Sequence, residues 1–105
     1  FAGELEALGM QVYPSATNFL CCTPLGELRE RLAAAYDGQF GRDNNYSEAT
    51  KAGKYIFKNL LQERILIRDF TEHPALQGCM RITLGRPEEN VKVLGAIKTL
   101  CRGGR

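Results

Sequence analysis

The sequence predicts an α+β fold: a small, mostly antiparallel sheet covered by helices as a two-layer sandwich. Three observations carry this. Helical and strand periodicities alternate in blocks along 105 residues, in the order helix, two strands, two helices, strand, strand, helix. The strand segments are short and bounded by Gly, Pro or Ser. Each helical segment has an apolar stripe that must be buried against another layer.

Residues 1–9 read as a helix end, with Phe1, Leu5 and Leu8 at helical spacing and Gly9 as the stop. Met10 to Tyr13 is a strand halted by Pro14-Ser15, and residues 17–23 form a second, β-rich one. Thr23 before Pro24 reads as a hydroxyl cap with proline at the first helical position. Leu25, Leu28, Leu32 and Ala35 then share a face to about Tyr36. Residues 37–46 are a loop by composition. Ser47 caps a helix carrying Ala49, Ala52, Ile56, Leu60 and Leu61. Ile65 to Arg68 is a strand, residues 71–78 a loop, and Cys79 to Leu84 a further strand. Pro87 opens the last helix, with Glu88 and Glu89 at its positive end and Val91, Leu94, Ile97 and Cys101 as its apolar face. The tail 102–105 should fray.

Composition narrows the function. With 14 Lys plus Arg against 12 Asp plus Glu, the net charge of +2 is too small and dispersed to argue for nucleic acid or a membrane surface. No apolar run approaches the roughly 20 residues of a spanning helix. The opening Phe1-Ala2-Gly3-Glu4 has neither an initiator Met nor a secretory pattern, so the expectation is part of a longer, cytoplasmic polypeptide. Cys21, Cys22, Cys79 and Cys101 lack metal-ligand or C-x-x-C spacing, which favours buried, reduced thiols and no metal site.

Chemistry is concentrated in two arginines on strands. Alternation turns Arg68 away from Ile65 and Ile67, and Arg81 away from Met80, Ile82 and Leu84. Two planar forks from different strands could converge on one carboxylate or phosphate. Equally, each could pair with an acid such as Asp69, or be solvated. Asn18, inside an apolar strand, is either a buried structural amide or a ligand. His73 has no nucleophile beside it and reads as a loop hydrogen-bonder, and Ser15 lacks the setting of a nucleophile elbow. Gly85-Arg86-Pro87 leads into a helix N-terminus, a weak anion-site signal without a glycine-rich loop. No catalytic set is complete.

Three segments carry a family resemblance. Pro14-Ser15-Ala16-Thr17-Asn18-Phe19-Leu20, Ile65-Leu66-Ile67-Arg68-Asp69 and the run Cys79 to Asn90 (CMRITLGRPEEN) resemble, in the same order, three motifs of the histidinol-phosphate aminotransferase family. The resemblance implies the small C-terminal domain, residues 1–105, of a fold-type-I aminotransferase that uses pyridoxal 5′-phosphate (PLP). It implies that Arg81 grips the anionic end of the substrate and that Arg68 is the second arm of a phosphate clamp. Asn18 matches a family position read as mainly structural. The cofactor-lysine segment of the large domain is missing, so this chain alone should neither bind PLP nor transaminate. Partners implied are an anionic amino acid or phosphorylated amine, the large domain, and a second subunit. Residues 24–50 look like an additional helix and loop, and Arg86 stands where the family has a capping Thr. Within the fold, a threonine-phosphate decarboxylase or an aromatic aminotransferase competes. Outside it, the alternative is a free-standing, non-catalytic anion-binding module.

Overall fold

In the computed structural model, which describes residues 2–16, 19–42, 45–65, 67–73 and 78–103, the predicted element order is found. The elements are α1 (Ala2–Leu8), β1 (Met10–Ala16), β2 (Phe19–Pro24), α2 (Gly26–Phe40), α3 (Glu48–Gln62), β3 (Arg68–Phe70), β4 (Cys79–Thr83) and α4 (Pro87–Cys101). The strands form one sheet in the order β1-β2-β4-β3, every pairing antiparallel. This is the α+β sandwich that the periodicities require.

Strand alternation divides the sheet into two faces. Met10, Val12, Leu20, Cys22, Met80 and Ile82 are buried together with Leu28, Leu32, Ile56, Leu60, Leu94 and Ile97 from the helices. Burying one such aliphatic side chain contributes about 1.5–3 kcal/mol, so this shared core is the main stabilising term. Gly9, at φ 109°, ends α1 in a conformation that L-residues avoid. A Cβ there would also meet Leu28 Cβ at 3.3 Å.

Several boundaries differ from expectation, each for a tertiary reason. β1 continues past Tyr13 because it is an edge strand, where Pro14 opposes Leu20 without a ladder N–H being needed. Thr23 and Pro24 do not start α2. Pro24 pairs with Met10 in the sheet, its carbonyl accepts from Arg29 Nε at 2.9 Å, and the N-cap is Leu25, with no side-chain cap bond. α2 runs to Phe40 rather than Tyr36, because its last turn packs on α3. Asp37 pairs with Lys51 at 2.8 Å, and the Gln39 and Asn59 amides exchange two 3.1 Å hydrogen bonds. α2 also buries Leu28, Leu32 and Tyr36, so the core draws on residues 24–50.

The Ser47 cap is present, with its Oγ accepting from Thr50 N–H at 3.2 Å. The strand expected over 65–68 begins instead at Arg68. Ile65 spends its N–H on Leu60 C=O to close α3, and the ladder to β4 starts at Arg68 opposite Arg81. β4 stops at Thr83, one residue early. Three apolar-face assignments fail: Leu25 is exposed because it is the N-cap that precedes α2, and two others fail by helical phase. Val91 is 71% exposed, standing about 120° around α4 from buried Ile97 at 100° per residue. Leu61 is likewise exposed, about 140° from Ile56 on the same reckoning.

Candidate anion-binding site on the second face of the sheet

Arg81 and Arg68 are directly opposite each other on β4 and β3. Together with Ile67 and Thr83 they line an open pocket of about 450 Å³. The burial of Ile65 and Ile67 in the core is what turns Arg68 outward. Like charges directly opposite in a ladder repel. Neither arginine has an acid partner among the described residues. Asp69, the acid nearest in sequence, points to the helical side of the sheet. There its Oδ2 takes Lys54 Nζ at 2.9 Å, while its Oδ1 takes Thr71 N–H at 2.9 Å and Thr71 Oγ1–H at 2.6 Å. Lys54 also meets Glu72 at 2.9 Å. Burial works against both charges, pushing the Asp69 carboxyl up and the Lys54 amine down. The mutual hydrogen bonds outweigh it, holding the Asp69 carboxyl below and the Lys54 amine above their ordinary values.

The head of Arg81 lies over two aromatic rings, 4.4 Å from the Phe19 centroid and 5.7 Å from that of Phe70. Its Nε is buried without a hydrogen-bond partner. An unmade bond of that kind costs about 1–3 kcal/mol. Two cation–π contacts return about 0.5–2 kcal/mol each, so the arrangement roughly balances. Phe19 and Phe70 escaped the sequence reading. Strand register brings them diagonally beside Arg81, and alternation within one strand does not fix which residue of the neighbouring strand stands opposite.

The other candidates resolve as follows. Asn18 lies outside the described residues, and the side chain of Ser15 is not among those described. His73 is exposed and packs edge-on against Phe70, with ring centroids 6.3 Å apart. The α4 start lines a second pocket of about 300 Å³ with Arg64 and Lys92. The two backbone donors just before the helix are already taken: Arg86 N–H donates to Glu89 Oε1 at 3.0 Å, and Gly85 N–H to Asn90 Oδ1 at 2.9 Å. The arginine therefore does forfeit a side-chain acceptor at the N-cap, and Glu89 and Asn90 supply the capping bonds. Among the described residues no group of three or more His, Cys, Asp or Glu could hold a metal, and no helix is long and apolar enough to cross a membrane.

Four of the five lysines are engaged by acids or aromatic rings. Lys51, Lys54 and Lys98 are ion-paired with Asp37, with Asp69 and Glu72, and with Glu4. Lys58 sits over the Tyr36 and Phe40 rings at 5.4 and 4.8 Å. A lysine that attacks an aldehyde must shed its proton, and the ion pairs of Lys54 oppose that.

This sheet-and-helix unit, with its cationic pocket, belongs to the aminotransferase class I and II family, whose profile matches residues 1–97. Among curated relatives, histidinol-phosphate aminotransferase of Salmonella heidelberg (strain SL476) is 30% identical over 108 aligned residues, covering 87% of this chain and 30% of the relative. Those of Salmonella arizonae and Escherichia coli O9:H4 (strain HS) are 37% identical over 67 residues and 40% over 60. These two alignments cover 63% and 56% of this chain, and 19% and 17% of the relatives. The chain thus spans less than a third of the length of the relatives it matches. No solved structure matches it.

Proposed function

We propose that residues 1–105 are the small C-terminal domain of a PLP-dependent aminotransferase most like histidinol-phosphate aminotransferase, with 24–50 as its family-atypical helix and loop. The reaction would be amino transfer from L-histidinol phosphate to 2-oxoglutarate, giving imidazole-acetol phosphate and L-glutamate in a cytoplasmic homodimer. One observation carries the reading for this chain: two arginines share a pocket with no acid paired to either among the described residues, in a family member whose named relatives act on a phosphorylated substrate.

PLP supplies electron withdrawal to the amine carbon when bound. Its lysine would lie outside this chain. The task of Arg81 and Arg68 is to bind and orient. Two forks on one phosphate dianion define its orientation as well as its position, and so place the distant amine. In the polypeptide that carries this chain, Arg81→Ala should lower kcat/KM for the phosphorylated substrate at least ~10-fold, over ~1.4 kcal/mol. Arg68→Ala should act in the same direction. Unchanged kinetics in Arg81→Ala would overturn the clamp.

A further inference from the structure

A sheet built only for stability would set a carboxylate between two opposed arginines. Asp69 is adjacent to Arg68, yet its side chain leaves for Lys54 on the helical side of the sheet. Among the described residues, the Arg81 head meets no acid but the rings of Phe19 and Phe70. A π face stabilises a cation without cancelling its charge. The ladder register sets the rings at opposite diagonals. Phe19 on β2 stands across from Thr83, and Phe70 on β3 stands across from Cys79, so they flank Arg81 from both sides of β4.

We infer that Phe19 and Phe70 are positioning residues for Arg81, a two-ring clamp that holds the guanidinium oriented and fully charged with its edge toward the pocket shared with Arg68. Anions that present two coplanar oxygens, carboxylates and phosphates, suit that edge. Because the rings come from β2 and β3, the clamp is assembled only when both strands are in register with β4. The inference rests on the anion-binding reading of this pocket and adds the residues that orient its main donor.

The test uses the polypeptide that carries this chain, saturated with PLP so that no cofactor-phosphate site is open. Inorganic phosphate is titrated by calorimetry. Phe19→Leu and Phe70→Leu should each weaken phosphate binding about fivefold, while Phe19→Tyr and Phe70→Tyr, which keep the ring, should stay near the parent value. Arg81→Ala is the reference and should weaken binding at least ~10-fold. If Arg81→Ala loses phosphate but both Leu variants bind like the parent, the ring clamp is overturned and the anion site stands. If Arg81→Ala also binds like the parent, the anion site itself falls, and the clamp with it. Should the Leu variants not fold, arginine-selective NMR of the unmutated protein decides. The clamp requires the Arg81 Nε proton to be displaced upfield by ring currents, and a shift matching that of exposed arginines would overturn it.

Discussion

Arg64 holds φ at 63°, in the left-handed region that L-residues enter at a cost of roughly 1–2 kcal/mol. The reason is local. Arg64 N–H returns to Leu61 C=O and Ile65 N–H to Leu60 C=O, the double closure of a Schellman motif, whose left-handed position is usually glycine. Glycine loses about 0.5–1 kcal/mol more backbone entropy on folding, which offsets part of the gain. Arg64→Gly should therefore still stabilise, by roughly 0.5 kcal/mol, read from the urea midpoint. Asp69 has the opposite character, since removing its charge leaves the buried Lys54 amine with the exposed Glu72 as its one carboxylate partner among the described residues. Asp69→Asn should cost about 1–3 kcal/mol near neutral pH. The sign follows from the shifts. A depressed Asp69 carboxyl contributes stability that is complete above the unfolded value of about 3.9 and is lost as pH falls through its lower folded value. A raised Lys54 amine contributes stability that is complete below about 10.4 and is lost as pH rises through its higher folded value. Urea midpoints against pH should thus show a shallower acid limb in Asp69→Asn than in the parent. Equal limbs would contradict the pairing.

Among the elements, α3 and α4 each carry a glycine in a helical interior, where alanine is normally better by about 1 kcal/mol. The two should respond with opposite signs. At Gly53 a Cβ would fall 2.5 Å from Thr71 Cγ2 and 2.8 Å from the Gly78 carbonyl oxygen, so α3 approaches the β3–β4 connection only because no side chain intervenes. Backbone on one side cannot yield, and overpacking costs typically about 1–3 kcal/mol, which exceeds the propensity gain. Gly53→Ala should lower the melting temperature. At Gly95 nothing lies within 4 Å, and Gly95→Ala should raise it by the propensity term alone. A gain at both positions would mean that α3 sits further from the sheet than described. The same close approach lets Thr50 Oγ1–H reach Thr71 C=O at 3.0 Å and Lys54 reach Asp69, tying the short β3 strand to the helix. That tie helps to set the three residues that present Arg68 and Phe70.

For the molecule as a whole, burial of all four cysteines measures how completely the layers close. Each is free and buried. Burial, joined by the neighbouring Cys79, Cys21 and Cys101, pushes the Cys22 thiol up to about 12, and burial pushes Cys101 up to about 11 despite the nearby Arg31. Thiolate is the reactive species, so a native sample at pH 8 should label slowly with a maleimide dye, and urea should expose all four thiols. Rapid native labelling of Cys22 or Cys101 would show that the core opens. The pocket belongs to this same scale. Its two arginines are 13 positions apart in the chain, and the antiparallel β3–β4 return is what brings them face to face.

Element order and type were legible in the sequence because apolar periodicity is local: Ser47 at its helix start, Gly9 at its stop, and the alternation through Met80, Arg81 and Ile82 all act within a few residues. Arg68 and Arg81 could be singled out for the same reason, as charges on strands turned from an apolar face. So could the family, from three short motifs. Where α2 ends, where β3 begins and which apolar residues are left exposed depended on packing between segments distant in the chain. Asp37 with Lys51, Gln39 with Asn59 and the pairing of Pro24 with Met10 each outweigh a local signal worth at most about 1 kcal/mol. The same holds at the site. The sequence by itself marked both cations, but only the tertiary structure decided that Asp69 serves Lys54 while two aromatic rings flank Arg81, because strand register is a property of paired chains and has no footprint in either strand alone.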